Sequence, residues 1–273
     1  MTSQSEPVDT GAYIRTSTLF AEKRKVLAPQ AVADLAQDIV RRVSSMKHPS
    51  RQDPDGEVSD ARISALCDAL VQSSPAASLQ FILDREAEGI GHETILYGYL
   101  AAAARMLGAR WDADEIGFSE VILGTGHLYS LLRAIQAYHP VKPQSEFSRK
   151  TALFAVVPGE THNFGVRLAA ETFREAGWRI DLKVDLNHDD LVAHARQTEP
   201  SVIGLSLSTE ERLAPLAKLV IALRLVIPAA IIGVAPALNM TDEILRKVAD
   251  IDAVFRDARI AVRDLDWMHQ LRV

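Results

Sequence analysis

The sequence predicts an all-α helical bundle followed by a Rossmann-like, doubly wound α/β domain. Three observations predict it. Apolar residues recur at helical spacing through the first half of the chain, and a polar stretch with two prolines, YHPVKPQSEFSRK at 138–150, then interrupts the pattern. After Lys150 short apolar runs alternate with amphipathic stretches, as expected where parallel strands are joined by helical crossovers. At 273 residues and 48% hydrophobic content, the chain can build two cores.

Residues 1–28 are polar and lack sustained periodicity, so the expectation there is a flexible N-terminal arm, either disordered or ordering on a partner. The bundle is expected over 29–140. Val32, Leu35, Ile39 and Val43 mark its first helical face, and SSMKHPSRQDPDGEVSD reads as a loop. Helices follow near 59–71, 75–87, 91–107 and 117–137, punctuated by Pro75, Gly89, Gly91 and Gly108. Over 150–273, ALFAVV, RIDLKV, VIGLSL, AAIIGV and AVF read as strands. Helices between them cover 163–176, 188–197, about 211–226 and 241–249, with Thr209 as an N-cap. In such a sheet ligands bind at the carboxyl ends of the strands, near the reversal of strand order.

Composition removes several function classes. A net charge of −6 with scattered Lys and Arg gives no footprint for a phosphate backbone, so direct nucleic-acid binding is not expected. The single cysteine, Cys67, lies among Ile63, Leu66 and Leu70 at helical spacing and reads as core, which suits a reducing compartment. The N-terminus has no apolar leader core and no run of 18 apolar residues occurs, so the expectation is a cytoplasmic protein without a membrane span. The sequence contains no Walker loop, nucleophile elbow or HExxH.

The chemistry concentrates in PGETHNFG at 158–165, a loop leaving the carboxyl end of the first strand of the α/β domain. Imidazole is the commonest protein metal ligand, and its second nitrogen usually donates to a carboxylate that fixes the tautomer. Glu160, two residues before His162, is placed to be that orienter, and Gly165 permits close approach of a bulky group where the next helix begins. His188 and His194 flank a polar helix and read as surface residues. His48, His92, His139 and His269 have no partner at ligand spacing.

The Glu-x-His-x-x-Gly loop after a strand resembles the cobalamin-binding signature. That resemblance implies a flavodoxin-like fold in which His162 is the lower axial ligand of cobalt, with Glu160, Thr161, Asn163, Phe164 and Gly165 around it. It further implies that the cofactor's nucleotide tail inserts beside GLSLS, with Ser206, Leu207 and Ser208, and beside IIGVAP, with Gly233, Val234 and Ala235. Val234 stands where a second glycine is usual, and a β-branched side chain there is expected to crowd the tail. DIDAVFRDARIAV resembles the last strand and turn of cobalamin domains, with Phe255 and Asp257 beside the tail pocket. In the first half, Leu107, Gly108 and Trp111 resemble the LGxxW landmark of cobalamin-capping bundles, which implies Trp111 on the upper face. Val121 and Ile122 stand where cobalamin photoreceptors carry a Glu-His pair, and His127 lies on the same helix, open to a ligand or a core role.

Both halves in this order are similar to the PpaA/AerR family of cobalamin-binding antirepressors from photosynthetic bacteria. The resemblance covers roughly residues 75–262. It implies a non-enzymatic, light- or redox-responsive regulator that acts on transcription through a DNA-binding repressor. Two alternatives stay open at this point, a corrinoid methyl carrier and a haem-binding redox sensor.

Overall fold

The computed structural model describes residues 8–46, 58–138, 150–237 and 240–270. The chain divides into two units, residues 1–140 and 141–273, each with its own core. The linker expected at 138–150 lies outside the described residues except at its two ends.

The first unit is helical: α1 (Thr10–Val26), α2 (Pro29–Ser44), α3 (Asp60–Leu70), α4 (Ala76–Ala87), α5 (Ala101–Asp112) and α6 (Phe118–Tyr138). Its first helix corrects the sequence expectation of a flexible arm over 1–28. Asp9 caps α1 by accepting from the Ala12 amide at 2.8 Å, and Tyr13 and Phe20 are buried against the bundle. The buried positions, Ala12, Tyr13, Thr16, Phe20 and Lys23, do follow a helical repeat, but polar Thr16 and Lys23 hide it from a count of apolar residues alone. Residues 1–7 lie outside the described residues. The Tyr13 hydroxyl donates to the Pro75 carbonyl at 2.7 Å, tying α1 to the start of α4. Gly126 on α6 admits the Phe20 ring, since a Cβ there would come within 2.5 Å of it. A seven-residue π-helical stretch, Thr94–Leu100, runs into α5 and was not foreseen. Cys67 is buried on α3, and burial pushes its thiol up to about 11, as its reading as core requires.

The second unit contains β1 (Thr151–Val156), α7 (Phe164–Glu175), β2 (Arg179–Lys183), α8 (His188–Thr198), β3 (Val202–Leu207), α9 (Leu213–Val226), β4 (Ile231–Pro236), α10 (Asp242–Val248), β5 (Ala253–Val254) and α11 (Ala258–Gln270). All pairings are parallel, in the order β2-β1-β3-β4-β5. This is the flavodoxin-like order, which reverses between β1 and β3. On one face, Phe154, Val166, Ala170, Phe173, Trp178, Ile231, Ala261 and Leu265 join the sheet to α7 and α11 in one core. Helices α8, α9 and α10 pack side by side, on the other face as right-handed crossovers require after the order reverses. The final helix, α11, is absent from the sequence reading, which saw there only a strand and a turn. Asp257 starts it, its Oδ1 accepting from the Arg259 and Ile260 amides at 2.8 and 2.9 Å. Thr209, expected as an N-cap, makes no capping bond through its side chain and instead precedes a 3₁₀ turn over Glu210–Arg212.

Candidate functional site

The site starts from a tight turn. Beyond β1 the Val157 amide still donates to the Ser206 carbonyl of β3 at 3.0 Å, and the chain then reverses as the Glu160 amide donates to Val157 at 2.9 Å. Pro158 and Gly159 occupy the corners. Gly159 has φ +84°, as the third position of a type II turn demands. The reversal points Glu160 back toward the end of β3, where its side chain is only 3% exposed.

Five donors converge on that carboxylate. Oε1 accepts from the amides of Thr161 and His162, both at 2.9 Å, and lies 3.0 Å from His162 Nδ1. Oε2 accepts from the Ser208 amide at 2.9 Å and from the Ser208 hydroxyl. Burial pushes the carboxyl up, but the bonds from Ser208 and His162 outweigh it and hold the group down to about 2. An ionised carboxylate facing Nδ1 favours the proton there, which leaves Nε2 with its lone pair. The His162 side chain is 77% exposed, so the arrangement presents one oriented nitrogen to a large ligand.

Beside His162 lies a cavity of about 550 Å³, bounded by the carboxyl ends of β3 and β4 and by α7 and α11. Gly204 and Gly233 are register partners on its floor. A Cβ on Gly204 would come 2.9 Å from the Phe154 ring, and one on Gly233 would come 2.2 Å from the Phe255 ring. The two aromatic rings therefore sit against bare backbone, and a side chain at either glycine would displace its ring.

Most of the residues singled out in the sequence meet here. His162, Gly165, Ser206, Leu207, Ser208, Gly233, Ala235 and Phe255 line the cavity, as does Asp257. Glu160 sits behind His162, and Thr161 supplies its amide. Asn163 precedes α7 and accepts from Arg167 at 3.1 Å, and Phe164 is 78% exposed on the first turn. Val234 is the correction. Side chains alternate along β4, so while Gly233 and Ala235 face the cavity, Val234 is fully buried on the opposite face and does not crowd it. Trp111 lies near the end of α5 in the first unit, half-buried. His127 takes the core role: its Nδ1 lies 2.7 Å from the Leu70 carbonyl inside the bundle, and burial lowers its pKa. His194 is half-buried rather than a free surface residue, with Nε2 on Asp181. Sequence reasoning missed Phe154 and the α11 wall, and quoted Gly204 within GLSLS without giving it a role. A glycine in mid-strand was the available signal for Gly204.

A protein family matches residues 150–266. It is the B12 binding domain. The residues present fit that cofactor: a carboxylate-oriented imidazole stands at the strand ends, and a glycine-floored cleft opens beside it. Cobalamin is the cofactor of the B12 binding domain here. When bound, it supplies cobalt, which His162 would hold through its free nitrogen, with Glu160 and Ser208 orienting the ring.

An uncharacterized 20.5 kDa protein in the bchF-crtJ intergenic region of Rhodobacter capsulatus is 30% identical over 122 residues. That match spans 45% of this chain and 64% of the relative. Among solved structures, a cobalamin-binding protein from Desulfitobacterium hafniense is 17% identical, with 76% of this chain and 96% of that one covered at a TM-score of 0.41. The monomethylamine corrinoid protein of Methanosarcina barkeri is 16% identical, with 77% and 100% covered at 0.39. Among the described residues no helix is long and apolar enough to cross a membrane.

Proposed function

We propose that this protein is a cytoplasmic, cobalamin-binding regulator, responsive to light or redox state, that relieves repression by binding a DNA-binding repressor. On this reading it is a binding module and not an enzyme. The observation that carries the reading is the B12 binding domain in a chain whose curated relative is named for its place in the bchF-crtJ intergenic region. The charge balance supports action through a second protein, because an acidic chain of net charge −6 is poorly suited to hold DNA itself. A change at cobalt alters which arrangement of the protein is favoured, and that differential is what a partner can read.

The test is repressor binding, measured on one preparation in the light and in the dark, with and without cobalamin, oxidised and reduced. The reading expects binding that changes with at least one of these states. Repressor binding indifferent to all of them would contradict it. Methyl transfer from a methylamine or methanol enzyme would favour the corrinoid carrier, and a Soret-type band in the purified protein would favour haem.

A further inference from the structure

The loop that carries His162 is clasped a second time, by a residue that no motif marks. The guanidinium of Arg212 lies over the backbone of Gly159: a Cβ at that glycine would come 2.7, 3.1 and 3.6 Å from its Nη1, Cζ and Nη2 atoms. The first two distances are shorter than ordinary contact, so the guanidinium occupies the space a side chain at Gly159 would need. Arg212 closes the 3₁₀ turn after β3, its amide donating to the Thr209 carbonyl at 3.2 Å. It stands four positions beyond Ser208, the residue that holds Glu160. Among the described residues its guanidinium makes no ion pair or hydrogen bond, although it is half-buried. An arginine kept half-buried without a charged partner is placed by packing, and the surface it packs on is at Gly159.

We propose that Arg212 is a positioning residue for His162: its guanidinium, seated on Gly159, clamps the turn after β1 to the loop after β3, so that Glu160 and Ser208 meet in the one geometry that orients the imidazole. The proposal rests on the reading of His162 as the cobalt ligand. Glycine at position 159 then has two reasons, the positive φ of the turn and the flat face on which Arg212 rests. Without the clamp the turn keeps its own bond and those that tie Val157 to Ser206 and Glu160 to Ser208, but it loses the contact that braces them from outside. Supporting partners of a metal ligand typically contribute about 10–100-fold to affinity, and a residue acting one step further out belongs at the lower end, near 10-fold.

The experiment uses the full-length protein as R212Q, R212K and H162A, each checked for folding by circular dichroism. In the cobalamin-free protein, hydrogen exchange is read at the amides of Thr161, His162 and Ser208, all of which donate to Glu160. Hydroxocobalamin is then titrated by absorption. R212Q and R212K should both exchange faster at these amides and bind about 10-fold more weakly, because lysine keeps the charge but not the planar fork. If R212Q does not fold, R212K decides alone. Wild-type behaviour of both variants, wild-type behaviour of R212K alone, or faster exchange at unchanged affinity would each overturn the proposal. An H162A protein that binds normally would sink the reading of His162 instead, while the exchange data still judge the clamp.

Discussion

Glu160 and Glu86 show how environment, not residue type, sets the behaviour of a carboxyl. Glu160 is held down to about 2 by donors that outweigh its burial, whereas an unpaired glutamate titrates at about 4.3. A group whose folded value is depressed stabilises the fold above its unfolded value, and that contribution is lost as pH falls from about 4 through about 2. E160Q should therefore flatten the acid limb of the unfolding curve in that window, read by circular dichroism against pH. Glu86 on α4 has the opposite sign. Both its carboxyl oxygens are buried without a hydrogen-bond partner among the described residues, and burial pushes the group up to about 7. Its ionisation opposes folding, so stability should fall as pH rises from about 4 to about 7 and level off above. E86Q should remove that slope and raise Tm at pH 8, and an unchanged Tm-pH profile would contradict the assignment. The orienter of His162 was legible in the sequence because Glu160 lies two residues away. Arg212 was not, because its partner turn is about fifty residues distant and only the pairing of β1 with β3 brings them together.

Among the elements, α1 and β4 show where pattern reading fails and where it is sufficient. Helix α1 was missed because its buried face includes Thr16 and Lys23, yet the Phe20 ring fills the notch at Gly126 and is 4% exposed. Large-to-small substitution of a buried phenylalanine costs about 3–5 kcal/mol. F20A should thus lower the urea midpoint of the first unit markedly, and a change under about 1 kcal/mol would show that α1 is not part of its core. On β4 the strand itself was legible, but the consequence of Val234 depended on which face it takes. Period-two alternation sends Val234 away from the cavity and leaves Gly233 on its side, beneath the Phe255 ring. G233A places a methyl group against the Phe255 ring, so it should weaken cobalamin binding while leaving cobinamide, which lacks the nucleotide tail, less affected. Equal loss for the two corrinoids would argue that the cavity does not take the tail.

The whole molecule divides as the sequence pattern divides, into a helical unit and a parallel α/β unit. That division was legible because apolar periodicity changes after the linker, and the class of the sheet follows from alternating strands and helices. Strand order was not written in any local pattern. It emerges from packing, and it matters because β1 and β3, the strands that bring Glu160 and Ser208 together, flank the point where the order reverses. Helix α11 escaped notice for a related reason: it completes the core with Ala261 and Leu265, and its role is apparent only once α7 lies beside it. The account as a whole stands on one bond, from His162 to cobalt. The most direct measurement is the absorption spectrum of hydroxocobalamin bound to wild-type protein and to H162A. The account predicts a histidine-ligated spectrum in the wild type and, in H162A, either a base-off spectrum or affinity reduced well beyond that of E160Q. An H162A complex with unchanged spectrum and unchanged affinity would contradict it.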